Sequence, residues 1–191
     1  YSDKYKNKIN YKYLPLESVA IYVPGSTASY PSSVLMNGIP ALCAGVKRIV
    51  MINPGYKGKQ NPGVLYAAKK LKIKEIYSIG GPSAIAAVAY GTKKIKPVNK
   101  VIGPGNQYVS AAKKEVFGDI GIEGMTAGPS EVTIVADKTS NPEWIASDLI
   151  GQAEHDVLAQ CILISKDKKI LELTRKEIFK QLKLIPRSSI A

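Results

Sequence analysis

The run Gln152-Ala153-Glu154-His155-Asp156 gathers residue types that hold divalent metals. Gln152 and His155 stand three positions apart, so on a helix their side chains share one face. An amide oxygen beside an imidazole can ligate a divalent ion, and Glu154 or Asp156 could orient the ring. His155 is the chain's only histidine, however, and a metal needs more than two protein ligands. A lone histidine near a helix end also serves as a cap or a surface residue, so both readings stand at this level.

A second set of candidates is rich in Gly and Pro: Pro24-Gly25-Ser26-Thr27, Gly80-Gly81-Pro82-Ser83, Gly103-Pro104-Gly105-Asn106 and Gly128-Pro129-Ser130. Glycine lets a backbone approach a ligand closely, and a helix N-terminus offers free N–H groups to phosphates. Such loops also simply end strands. Their recurrence at successive strand-to-helix positions favours a phosphate-bearing cofactor over plain turns. None matches G-x-G-x-x-G, so the usual dinucleotide fingerprint is absent.

The elements that must position these residues alternate along nearly the whole chain. Strands are predicted over 18–23, 48–52, 75–79, 100–102, 131–136 and 161–165. Helices are predicted over 31–44, 63–71, 83–90, 107–116, 142–154 and 168–183, several opening on proline. A turn-rich basic loop fills residues 53–61. Such alternation predicts an α/β fold, Rossmann-like, with open parallel sheets covered by helices on both faces. Ile49-Val50-Met51-Ile52 is continuously apolar, as a strand buried on both faces should be. In such sheets ligands bind beyond the carboxyl ends of the strands.

Composition narrows the function classes. The chain has 191 residues, 45% hydrophobic and 22% charged, which suits a protein with a real core. It holds no apolar run long enough to span a membrane and no signal-peptide pattern near its start. Cys43 and Cys161 lie far apart in apolar contexts and are expected to be buried, reduced thiols, which points to a cytoplasmic setting. A net charge of +12 raises the question of nucleic acid. Only Arg48, Arg175 and Arg187 among the 27 basic residues are arginine, the type that forks onto phosphates and guanine edges. The lysines, including Lys47, Lys69, Lys70, Lys113 and Lys114, are read as solvated helix ends and polar faces. The chain begins without Met and ends after a helix with no closing strand, so it is expected to be a fragment.

Taken together, these stretches resemble histidinol dehydrogenase, the enzyme of the last two steps of histidine synthesis. The resemblance is carried, in family order, by Ile21-Tyr22-Val23-Pro24-Gly25, Ala84-Ile85-Ala86-Ala87 and Ile102-Gly103-Pro104-Gly105-Asn106, then Ala127-Gly128-Pro129-Ser130-Glu131 and Gln152-Ala153-Glu154-His155-Asp156. It implies a cytoplasmic homodimer in which one α/β domain is inserted into another. Residues 22–130 would form the inserted, NAD-side domain; 1–21 and 131–191 would form an incomplete main domain carrying the zinc motif. The implied reaction oxidises L-histidinol to L-histidinaldehyde and then to L-histidine with NAD, while zinc positions the substrate. Tyr22, Ser83 and Asn106 match cofactor-contacting positions. Ser130 matches a substrate-contacting serine. Gln152 and His155 match zinc ligands that also border the substrate.

Two local departures bear on NAD. Ser83 stands where the family has a glutamine that contacts NAD, and Ser26 stands where it has a second glycine. The family's acid-base Glu-His pair and its remaining zinc ligands lie downstream of this chain. No catalytic residue is therefore assigned here, and the chain alone is expected to be inactive. A shortened, non-catalytic nucleotide-binding homologue is the alternative, and a lysine-driven polyanion binder a third reading.

Overall fold

A computed structural model describes residues 4–25, 29–56, 59–124, 130–155, 157–186 and 188–190. The chain divides into two compact units, residues 1–127 and 128–191.

The first unit is built on a five-stranded, wholly parallel sheet. Its strands are β1 (Ser18–Tyr22), β2 (Arg48–Ile52), β3 (Glu75–Tyr77), β4 (Lys100–Ile102) and β5 (Gly121–Ile122). Their spatial order is β3-β2-β1-β4-β5. The chain thus builds outward from β1 in one direction, then returns to the other side of β1, which puts the topological switch point between β1 and β4. Tyr22 pairs with Ile52 in β2, and Ile21 pairs with both Met51 in β2 and Ile102 in β4.

Alternation along the strands divides two cores. Val19, Ile21, Ile49 and Met51 pack with Val34 of α1 (Pro31–Cys43) and Val64, Ala67 and Ala68 of α2 (Pro62–Lys70). Ala20, Tyr22, Val50 and Ile52 face the other way, onto Ala84, Ile85 and Val88 of α3 (Gly81–Tyr90) and Val109 of α4 (Gln107–Glu115). Burial on both faces is why these strands carry almost no polar residue. Proline opens α1 and α2, and Asn61 caps α2 by accepting the Gly63 N–H at 2.8 Å.

The second unit contains β6 (Glu131–Ala136), α5 (Pro142–Ala153), β7 (Gln160–Ser165) and α6 (Lys168–Leu182). β6 and β7 are parallel neighbours, with Glu131 opposite Gln160 and Ala136 opposite Ser165. Asn141 and Asp167 cap the two helices through the N–H groups of Glu143 and Lys169. Ala136, Ile145, Leu149 and Ile170 form its core, joined by Val132, Ile134, Cys161 and Leu163. Val135, Ile162 and Ile164, on the alternate face, are exposed.

Three expectations need correction. A domain boundary after residue 21 would cut β1, whose hydrogen bonds to β2 and β4 make it the centre of the first sheet. Residues 18–21 therefore pack with the first unit. Both cysteines are free, but Cys43 is exposed and Cys161 only half-buried, so neither is a deeply buried thiol. Gly128-Pro129-Ser130 leads into a strand, β6, and not into a helix.

Candidate functional site

The first unit brings the Gly80–Ser83 and Gly103–Asn106 loops together against Tyr22, beside the switch point. Tyr22 closes β1 with its ring in the core and only 4% of its surface exposed. Its phenolic oxygen accepts the Gly81 N–H at 3.1 Å, tying the end of β1 to the first turn of α3. Gly81 has φ +68° and open space where a Cβ would stand, so its backbone is bare toward solvent at the head of that helix. Ser83 is exposed in the same turn, where its hydroxyl donates to the Gly80 carbonyl at 3.3 Å.

On the other side of β1, the loop after β4 presses against the same strand. Gly103 has φ +101°, and a Cβ there would collide with the Tyr22 carbonyl oxygen. Asn106 caps α4, its side-chain oxygen accepting the Val109 N–H at 3.1 Å. The cap occupies the carbonyl end of an exposed side chain and leaves its amide N–H groups for a ligand. The heads of α3 and α4 are thus both tied to Tyr22 at the switch point, an arrangement suited to an anionic, phosphate-bearing ligand.

Sequence reading missed part of this region. A cleft of about 740 Å³ opens past the carboxyl ends of β1 and β2, lined by Gly25, Asn53, Tyr56, Lys59, Gln60 and neighbours. Asn53, 2% exposed, anchors its wall by donating to the Val23 carbonyl at 2.7 Å. Gln60 donates to the Asn53 carbonyl at 2.7 Å, while its side-chain oxygen is buried with no partner among the described residues. The loop's polarity had marked it only as a turn.

Lys113, expected on a solvated face, is instead fully buried. Its ammonium donates to the Gly103 carbonyl and, at 3.0 Å, to the Glu123 carbonyl. Burial pushes its pKa below the ordinary lysine value, against the opposing pull of Glu123. The signal was present in the spacing of Val109, Lys113 and Val116, which puts the lysine on the apolar face of α4.

The second unit holds the other candidates. Ser130 is exposed immediately before β6. Gln152 lies half-buried in the last turn of α5, and His155 is exposed just beyond it. The His155 N–H donates to the Gln152 carbonyl at 3.1 Å, so the two follow one another around a single turn. Helix α5 runs back against the strands, so this turn and Ser130 both stand at the amino-terminal edge of β6–β7, not at the carboxyl edge where ligands usually bind. An amide oxygen and an imidazole one turn apart suit a borderline divalent cation. Among the described residues there is no cluster of three or more His, Cys, Asp or Glu that could hold a metal, so this pair would supply only part of a shell. Asp156, Ser26, Thr27 and the Gly128-Pro129 step lie outside the described residues.

Comparison with known proteins bears on these fragments of a site. The family model for histidinol dehydrogenase matches residues 2–191. The chain belongs to the histidinol dehydrogenase family. It is 80% identical over its full length to histidinol dehydrogenase of Pelagibacter ubique (strain HTCC1062), of which it covers 45%. To histidinol dehydrogenase of Rhizobium meliloti (strain 1021) it is 52% identical, covering 44% of that protein. The crystal structure of histidinol dehydrogenase from Elizabethkingia anophelis superposes with a TM-score of 0.87 at 46% identity, over 93% of this chain and 41% of that one. A propionaldehyde dehydrogenase from Rhodopseudomonas palustris, with a TM-score of 0.51 at 18% identity, over 88% of this chain and 37% of that one, shares the fold alone. The chain therefore spans a little under half the length of the curated histidinol dehydrogenases it matches.

Proposed function

We propose that this chain is the cofactor-side and partial zinc-binding portion of a polypeptide that oxidises L-histidinol to L-histidine through L-histidinaldehyde, with NAD as oxidant. The observation that carries this reading is the family match over residues 2–191, joined to two helix N-termini whose loops both touch Tyr22. Bound NAD would accept hydride, and bound zinc would hold the substrate through its nitrogen atoms. Tyr22 and the turn carrying Ser83 would border NAD on one side of the switch point, and Asn106 on the other. With Ser83 bonded to the Gly80 carbonyl, the contact made by the family's glutamine would fall to backbone N–H groups at the head of α3. Ser130 would orient substrate, and Gln152 and His155 would give an amide oxygen and an imidazole nitrogen to the metal.

The sequence contains no adjacent Glu-His pair other than Glu154-His155, which this reading commits to the metal. Proton transfer is therefore assigned to residues outside the chain, and residues 1–191 alone are expected not to turn over histidinol. Insertion of one domain into another, dimerisation and a cytoplasmic setting belong to the same proposal.

The test is histidinol-dependent NADH formation by the full-length polypeptide, before and after chelation. Activity should vanish with the chelator and return with zinc. His155→Ala and Gln152→Ala should each lower zinc affinity by at least about tenfold. Zinc-loaded, folded protein that forms no NADH from histidinol would sink the reading. If it still bound NADH, a non-catalytic nucleotide-binding homologue would take its place.

A further inference from the structure

Lys113 is the one charged side chain buried among the described residues. It is the largest fully buried side chain of the described residues, and it makes no ion pair among them. The nearby Glu123 carboxylate is taken by Lys100, at 2.8 Å. What meets the ammonium instead is backbone: the carbonyls of Gly103, just past β4, and Glu123, just past β5. Burying a charge against carbonyls alone costs more than burying a methionine of similar length, so core packing does not call for lysine here.

The position of those carbonyls suggests what the charge does. Gly103 is followed by Pro104, which has no N–H. The Gly103 carbonyl is therefore the only hydrogen-bonding group of that peptide unit, and Lys113 is what orients it. The next residues are Gly105, packed on Val109, and Asn106, the cap of α4. On its other side Gly103 abuts the backbone of Tyr22. Lys113 itself rides on α4, so the contact closes a small ring: helix, ammonium, Gly103, turn, cap and helix again.

We infer that Lys113 is a positioning residue for the cofactor-side loop: its ammonium fastens the carboxyl ends of β4 and β5 and thereby sets the Gly103–Asn106 turn beside Tyr22. The inference rests on reading the loops around Tyr22 as the NAD side, and the experiment separates the two.

The measurement is NADH binding by fluorescence, with steady-state kinetics and zinc content, on the full-length polypeptide and its Lys113→Met variant. Loss of the ammonium should weaken NADH binding and raise KM for NAD by at least about tenfold. Zinc content and KM for histidinol should stay within about twofold, because the zinc pair stands on another unit. A folded Lys113→Met variant with unchanged NADH affinity would overturn the positioning role while leaving the NAD reading intact. Parent protein that binds no NADH would overturn both. Should Lys113→Met fail to fold, Lys113→Gln keeps amide donors near the carbonyls and is expected to fold with NADH binding at least about threefold weaker. Unchanged binding in that variant, or failure of both variants to fold, would make Lys113 a strut of the unit and nothing more.

Discussion

The closeness of Gly103 to the central strand can be tested against a glycine of matching backbone. Gly103 has φ +101° and Gly118 has φ +105°, so alanine at either position must adopt a backbone that L residues avoid. At Gly118 an added Cβ meets nothing within 4 Å. At Gly103 it would run into the carbonyl oxygen of Tyr22, a backbone atom of the central strand that cannot swing aside as a side chain would. Gly118→Ala should therefore cost only the dihedral strain, about 1–2 kcal/mol. Gly103→Ala should add an overpacking penalty and reach about 3–4 kcal/mol. Urea unfolding of the two variants and the parent, followed by circular dichroism, reads the difference as a shift in midpoint at constant slope. The same displacement should shift the Gly103–Asn106 turn away from Tyr22, so Gly103→Ala should also weaken NADH binding while Gly118→Ala leaves it unchanged. Equal destabilisation by the two substitutions would refute the claim that contact with Tyr22, and not backbone freedom, requires glycine after β4.

Two other perturbations probe separate bonds. Tyr22→Phe removes the acceptor of the Gly81 N–H and should cost about 0.5–1.5 kcal/mol in urea unfolding, with looser NADH binding as α3 loses its tie to β1. At the opposite edge of the sheet, Arg48 grips Glu75 through two hydrogen bonds of 2.8 and 2.9 Å and also donates to the carbonyls of Lys96 and Pro97. The Arg48 hydrogen bonds hold the Glu75 carboxyl below its ordinary value, so its contribution is fully present at neutral pH and is lost as pH falls through the lowered folded-state value. Glu75→Gln should destabilise by about 1 kcal/mol at neutral pH, the pair being partly exposed, and the gap from the parent should close in acid. A gap that widens on acidification would contradict that assignment.

How far the fold and site could be read in advance varies by residue. β2 was legible to the residue because four consecutive buried positions leave an unbroken run of large apolar side chains, Ile49 to Ile52. Helix starts were legible to within about two residues where Pro31, Pro62 and Pro142 open the first turn. β5 was not legible: Gly121–Ile122 is a strand only because Lys100 and Val101 lie alongside it. The cut at residue 21 failed for a related reason, since nothing local to Ser18–Tyr22 says that it is the centre of a sheet. Lys113 was lost to its charge, a prior that outweighed its place on the apolar face of α4.

By itself, the sequence determined the order and kind of the elements, the family and the identity of the candidate ligating and capping residues. These depend on side-chain period, on proline and glycine backbone limits and on local motifs, all of which act over a few residues. Only the tertiary structure decided that β1 is central, that Gly103 touches Tyr22, and that a lysine holds two strand ends together. It also decided that Ser130 and the Gln152–His155 turn stand at the amino-terminal edge of their sheet. Those facts depend on which distant segments pair and on which way a peptide carbonyl turns. Hydrogen bonding between strands and the cost of an unpaired buried group settle both, and neither is expressed in the local pattern of side chains.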